Sequence, residues 1–247
     1  MEQWLERALT RARTDLPGSV GGYLLGRGVQ EQAIPALGLG VWHCPEVVVP
    51  CVGFRKRYGP HGEALRGGLV APLRSGRGTL LGFEGRAIEG AKRVSQYKLP
   101  RAGWNAVFLG LDRAMPKIWA GGQIWIGEGL FDMTALDHIV PESDATLGAL
   151  TARLSDQQIE FLRRYARSMV NMVFDLDEKG RKATHGWVDE RTGKERWGVL
   201  KSLDRVGVVC RDIPYRGGKD PGEIWEQHGT DGLRRAFSSV CIRSQHG

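Results

Sequence analysis

Gln123-Ile124-Trp125-Ile126-Gly127-Glu128 opens as a short apolar strand and closes on an acid; Leu130 to Ile139 follows with helical spacing. The same rhythm continues down the second half of the chain. Ala145 to Leu150 reads as a short strand, and Asp156 to Ser168 (DQQIEFLRRYARS) as a helix capped by Ser155 or Asp156. Met169 to Phe174 (MVNMVF) is another buried strand, and Val206 to Cys210 (VGVVC) a further one. Between them, Arg181 to Leu203 is polar and predicts helix, with a hairpin insertion as the alternative over 185–198, where Trp187 and Trp197 lie. Strands alternating with helices imply βαβ crossovers and a mostly parallel sheet.

The first half has another texture. Turn signals (Pro17-Gly18, Gly21-Gly22, Gly59-Pro60, Gly67-Gly68, Gly76-Arg77-Gly78) separate short apolar runs such as Gly68 to Leu73 and Thr79 to Phe83. Such punctuation predicts a mixed, mostly antiparallel β region with a few helices. The expected class is therefore α/β overall. A mixed α+β subdomain spans 1–121 and an α/β subdomain with a mostly parallel sheet and C-terminal helices spans 122–247, with the boundary near Gly121-Gly122.

Charge divides the chain in the same place. The net charge is +7, but residues 1–121 carry +8 and residues 122–247 carry −1. A basic half suits a polyanion such as nucleic acid, and a solvated basic surface is the plainer explanation. Hydrophobic residues make up 41% of the chain, enough for a packed core. No run approaches the roughly 18 consecutive apolar residues of a membrane span. Met1 to Arg13 reads as an amphipathic helix, because Glu2 and Glu6 interrupt it and no apolar stretch of a signal peptide follows. Cys44, Cys51, Cys210 and Cys241 form no disulfide framework, so free thiols in a reducing cytoplasm are expected.

The acids of the second half sit just after its strands. Glu128 follows Ile124 to Ile126, Asp175 and Asp177 follow Val173-Phe174, and Asp220 follows the strand ending at Cys210 after a loop. In a parallel sheet the strand ends share one edge, where ligands bind. Carboxylates gathered there repel each other unless a cation neutralises them, and hard oxygen donors favour Mg²⁺ or Mn²⁺. Each Asp also has a purely structural use, as the cap of the next helix. No Cys-x₂-Cys knuckle accompanies His43, Cys44, Cys51 and His61, so zinc is not expected.

Trp125 to Leu136 (WIGEGLFDMTAL) resembles the first motif of TOPRIM domains, and Val173 to Ala183 (VFDLDEKGRKA) resembles the second, Asp-x-Asp followed by Gly. Asp220-Pro221 resembles the Asp-Pro after the last strand in primases. Tyr23 to Trp42 (YLLGRGVQEQAIPALGLGVW), the run beginning Arg66-Gly67-Gly68 and ending Gly82-Phe83-Glu84-Gly85-Arg86, and Phe108 to Ala114 (FLGLDRA) resemble, in order, segments of DnaG-type primase catalytic cores. This resemblance covers roughly residues 20–235. It implies a DNA-directed RNA polymerase of primase type, which builds short RNA primers on single-stranded DNA from ribonucleoside triphosphates. Two or more Mg²⁺ or Mn²⁺ ions would sit among Glu128, Asp175, Asp177 and Asp220, with Asp132 a supporting acid one helical turn beyond Glu128. Arg66, Arg86, Lys98 and Arg27 would hold template and triphosphate.

Three departures qualify it. Leu176 stands inside the Asp-x-Asp where the family has Gly, and Gly222 replaces the second acid of Asp-Pro-Asp, with Glu223 next along. Lys98 lies in Gln96 to Pro100 where the family has a Lys-Tyr-x-Asn-Ser-Pro segment. The family's zinc-binding module and helicase-binding region are not expected in this chain. A replicative helicase or a separate zinc-module protein is therefore an expected partner, and primer extension is expected to exceed initiation. The competing functions are a TOPRIM nuclease acting on RNA or DNA with the same carboxylates, and a non-catalytic nucleic-acid-binding subunit of a replisome.

Overall fold

The computed structural model describes residues 18–29, 38–41, 68–88, 94–98 and 108–240. The chain packs as two units, 1–102 and 103–247. The boundary expected at 121/122 thus differs, and the reason is visible. Helix Leu111–Trp119 buries Leu111, Ala114, Met115 and Ile118 in the core of the second unit. Arg66, the expected Met1 to Arg13 helix and the residues weighed for zinc lie outside the described residues.

In the first unit, helix α1 (Gly18–Gly26) is followed by an antiparallel sheet of order β1-β2-β3-β4, with β1 at Gly40–Val41, β2 at Leu69–Arg74, β3 at Leu80–Arg86 and β4 at Val94–Lys98. The antiparallel expectation is met. Ser75 to Thr79 closes the β2–β3 hairpin, with the Ser75 amide donating to the Thr79 carbonyl at 2.8 Å. Leu69, Val70, Leu73, Leu80 and Phe83 are buried. Arg86 ends β3, opposite Leu69 on one side and Val94 on the other. Lys98 ends β4, and Arg27 directly follows α1, its amide donating to the Tyr23 carbonyl at 3.0 Å.

The second unit is the βα alternation. After α2 (Leu111–Trp119) come β5 (Ile124–Gly127), α3 (Leu130–Asp137), β6 (Ala145–Gly148), α4 (Asp156–Tyr165) and β7 (Val170–Val173). Then follow α5 (Glu178–His185), β8 (Gly186–Val188), β9 (Glu195–Trp197), α6 (Val199–Asp204), β10 (Cys210–Asp212) and α7 (Pro221–Ala236, broken at Gly229). The main sheet has order β10-β7-β5-β6 with every pairing parallel. All four residues of β5, β6 and β7 are buried, which is why these strands read as unbroken apolar runs. Ile124, Ile126, Leu147, Val170 and Met172 share one core cluster with Phe108, Phe161 and Leu203. On the opposite parity, the Thr146 hydroxyl donates to Asp137 of α3 and the Trp125 indole to Asp144. Ser155 caps α4 as expected, exchanging hydrogen bonds with Gln158.

Two expected elements are corrected. The continuous helix over Arg181 to Leu203 is interrupted, and the hairpin alternative is what forms: β8 and β9 pair antiparallel between α5 and α6. Gly186 lies at φ 86° and would bring a Cβ within 2.4 Å of the Arg196 carbonyl oxygen, so the helix stops there and the chain turns back. The strand expected over Val206 to Cys210 begins only at Cys210. Gly207, at φ 76°, takes the left-handed position that ends α6, and the Val208 amide donates to the Leu203 carbonyl at 3.0 Å.

Among the described residues no helix is long and apolar enough to cross a membrane.

Candidate active site

Strand order positions the site. The chain leaves β5 towards β6 on one side and leaves β7 towards β10 on the other. Adjacent strands whose connections diverge open a crevice at their C-terminal ends, the usual ligand position in open α/β sheets. Glu128 is the residue after β5, and Asp175 and Asp177 lie two and four residues past β7.

Each acid is held by a different local device. Glu128 accepts a hydrogen bond from the Asp175 amide through Oε1, at 3.3 Å. Asp177 caps α5, its Oδ1 accepting from the Gly180 amide at 2.8 Å. Asp220 caps α7, its Oδ1 accepting from the Glu223 amide at 2.7 Å, with Pro221 pre-set for the first helical turn. Asp132 is buried. Its two oxygens accept from the Gly129 amide at 3.0 Å and the Gly222 amide at 3.2 Å, tying the first turn of α3 to the first turn of α7. Glu223 accepts from the Lys219 amide at 2.6 Å.

The electrostatics follow from crowding. Burial, then the charge of Asp175, pushes Glu128 up from 4.5 to about 7. Burial and the charges of Asp220 and Asp175 push Asp132 well above the ordinary carboxylate range. Burial raises Asp175 too, even though the Lys219 ammonium opposes it. Asp177 is lowered instead, chiefly by the Gly180 amide. Lys219 Nζ lies 2.8 Å from Asp175 Oδ2 and 3.4 Å from Asp177 Oδ2, and Asp175 raises it.

Among the described residues no three His, Cys, Asp or Glu side chains converge closely enough to form a ready cation cage. The donors are nevertheless those a hard divalent ion takes. Glu128, Asp175 and Asp177 are oxygen ligands on adjacent strand ends, two of them destabilised as anions and two already facing a cationic nitrogen. The residues therefore fit a divalent cation chemically. Gly222, at the position of the family's second Asp-Pro-Asp acid, contributes its amide to Asp132 and no oxygen to the site.

Beside Asp177 opens a cleft of about 560 Å³ lined by Arg153, Lys179, Lys182, Ala183 and Trp187. The hairpin supplies its aromatic residue, and the Arg153 guanidinium sits 5.3 Å from the centre of the Trp187 ring. Lys219, Lys179 and Arg153 are not among the residues that the sequence pattern singles out. Only Lys219 carries a signal that could have found it, since it directly precedes Asp220-Pro221.

Residues 125–224 match the Toprim-like family profile, so the second unit carries a Toprim-like α/β domain. The DNA primase of Deinococcus radiodurans is 26% identical over 252 aligned residues, covering 94% of this chain and 41% of that protein. The zinc-binding and RNA polymerase domains of Aquifex aeolicus primase superpose with a TM-score of 0.72 at 22% identity, covering 96% of this chain and 60% of that structure. A DnaG primase catalytic domain bound to single-stranded DNA superposes with a TM-score of 0.67 at 17% identity, over 96% of this chain. Over nearly its whole length the chain is thus similar to DNA primases in sequence and to primase catalytic cores in fold. It spans 41% of the length of its Deinococcus relative.

Proposed function

We propose that this chain synthesises RNA primers on a single-stranded DNA template by metal-dependent nucleotidyl transfer. The observation that carries the proposal is the gathering of Glu128, Asp175 and Asp177 at the switch point of a Toprim-like sheet, with a cationic group between two of them. The similarity to DNA primases runs through both units, which a nuclease built on the same carboxylates would not need.

Mg²⁺ or Mn²⁺ bound there supplies charge neutralisation for an attacking 3′-hydroxyl and a leaving pyrophosphate. Glu128, Asp175 and Asp177 are the holding residues. Asp220 lies close enough for its charge to raise Asp175, but its Oδ1 is committed to capping α7. Asp132 does not need to touch the ion, because it fixes the α3 and α7 termini that flank the site. The cleft beside Asp177 has cationic and aromatic walls of a kind that suits a nucleotide. Arg27, Arg66, Arg86 and Lys98 remain the proposed contacts to template and triphosphate. Single-stranded DNA and ribonucleoside triphosphates are the proposed partners, with a helicase or a zinc-module protein as an accessory.

The test is to incubate the chain with single-stranded DNA, Mg²⁺ or Mn²⁺ and labelled ribonucleotides. Short RNA is the expected product. Shortened template without RNA would identify a nuclease instead, and no metal-dependent product of either kind would identify a binding subunit.

A further inference from the structure

We propose that Lys219 is a resident counter-cation: its ammonium holds Asp175 and Asp177 together in the metal-free protein, and a divalent ion enters by displacing it. The proposal rests on Asp175 and Asp177 being cation ligands.

The geometry begins with which oxygens are available. Asp177 Oδ1 is committed to the Gly180 amide at 2.8 Å, so Oδ2 is its oxygen left for a cation. That oxygen, together with Asp175 Oδ2, is the one the Lys219 ammonium meets, at 3.4 and 2.8 Å. A divalent ion would sit about 2.1 Å from the same atoms. An ammonium in its observed place would then lie against a doubly charged cation, and like charges so close repel strongly even at high effective dielectric. The two occupants therefore exclude each other.

The mobile part of Lys219 is its side chain. The backbone is pinned on both sides: its amide donates to Glu223 Oε2 at 2.6 Å, and its carbonyl accepts from the Leu176 amide at 2.9 Å and the Tyr215 hydroxyl at 2.8 Å. Tyr215 is itself buried and also reaches the Phe174 carbonyl at 3.0 Å, so the loop is stitched to the end of β7. By contrast, the Lys219 side chain is 51% exposed, against 14% for Asp175. A flexible four-carbon stem on a fixed Cα lets the ammonium swing into water while the carboxylates stay in place. Without it, two carboxylates two residues apart would face each other unscreened whenever metal is absent.

Two measurements test this with the whole chain. In the first, Mn²⁺ is titrated calorimetrically into wild type, Lys219→Met, Lys219→Arg and Asp175→Asn, and each is melted in EDTA. Lys219→Met should bind Mn²⁺ roughly three- to tenfold more tightly, the scale of one lost partly exposed ion pair. It should also melt lower in EDTA, and Lys219→Arg should stay near wild type in both. Equal or weaker Mn²⁺ binding by Lys219→Met, with binding lost in Asp175→Asn, overturns the counter-cation and leaves the metal site standing. Mn²⁺ binding unaffected by Asp175→Asn, or absent from wild type, overturns both. The second measurement needs no variant. Amine-reactive labelling of wild type, read by peptide mass spectrometry, should modify Lys219 faster in Mg²⁺ than in EDTA; an equal or slower rate overturns the displacement.

Discussion

Gly180→Ala places a methyl group against the backbone that carries a proposed metal ligand. A Cβ built at Gly180 lies 2.0 Å from the Asp175 carbonyl oxygen, 2.8 Å from its carbonyl carbon and 3.0 Å from its Cβ. Ordinary contact begins near ~3.4 Å, so helix α5 and the Asp175 segment must part by roughly 1.4 Å, and neither is a side chain that can rotate away. Overpacking of this kind costs about 1–3 kcal/mol. Alanine recovers up to about 1 kcal/mol of helix propensity, which leaves a net loss of up to about 2 kcal/mol. The larger effect falls on function. Asp177 Oδ1 is held by the Gly180 amide, so moving α5 displaces both Asp175 and Asp177. A misplacement of about 1 Å costs on the order of 100-fold in rate. The expected result is a melting temperature lower by a few degrees, weakened Mn²⁺ binding and primer synthesis reduced about 100-fold. Gly22→Ala in α1 is the control. It is exposed with nothing within 4 Å of a new Cβ, so the same substitution there should stabilise by about 0.5–1 kcal/mol and leave activity unchanged. Wild-type Mn²⁺ affinity and synthesis in Gly180→Ala would refute the claim that this close approach positions the ligands.

Replacing Asp175 and Asp177 together with Ala should abolish metal-dependent synthesis while circular dichroism shows a folded chain; wild-type activity in that double variant would remove both from the site. Glu128 binds its proton more tightly in the folded than in the unfolded chain, with a value near 7 against 4.5. Its contribution to stability is therefore full below about pH 4.5 and is lost as pH rises through about 7. In EDTA the wild-type melting temperature should fall over that window relative to Glu128→Gln, and parallel curves for the two would show that Glu128 is not destabilised as an anion. Affinity for single-stranded DNA should fall steeply with salt, with a slope of about −0.7 per phosphate neutralised. Arg86→Ala should flatten that slope without changing Mn²⁺ affinity, whereas a slope unchanged from wild type would take Arg86 out of the template path.

The parallel sheet was legible because burial on both faces leaves β5, β6 and β7 as apolar runs that no surface segment imitates. The hairpin was less legible for the opposite reason. Val188, Glu195 and Arg196 are exposed, so their pattern carries no core periodicity, and only Gly186, Gly193 and Gly198 mark the turns. Strand β10 is harder to place because Val206 and Val208 are apolar for another purpose: Val208 belongs to the core cluster and Val206 packs against it. The true strand, Cys210–Asp212, lies at the sheet edge, paired only with β7, and two of its three residues are exposed. Lys219 had only its place before Asp220-Pro221 to mark it. Its partnership with Asp175 joins residues 44 positions apart in the chain, which local spacing cannot express.

The strand-end acids admitted two uses, helix cap and cation ligand, and for Asp177 the cap leaves room for the proposed ligand role. A carboxylate has two oxygens. The cap consumes Oδ1 on the Gly180 amide, and that bond fixes the plane of the group. Oδ2 is thereby aimed at the place where the Lys219 ammonium sits. A free Asp would lose side-chain entropy on binding a cation; a capping Asp has already lost it in folding, and the helix repays the loss. Asp175 has no such cap, and its carboxylate is oriented by Lys219 instead. In the proposed site the pair thus combines one candidate ligand pre-aimed by the fold with one oriented by the Lys219 charge. Disturbing the helix start that carries the cap, as in Gly180→Ala, should therefore weaken Mn²⁺ binding, while removing the charge at Lys219 should strengthen it. If both substitutions shift affinity in the same direction, the two carboxylates are not organised in these different ways.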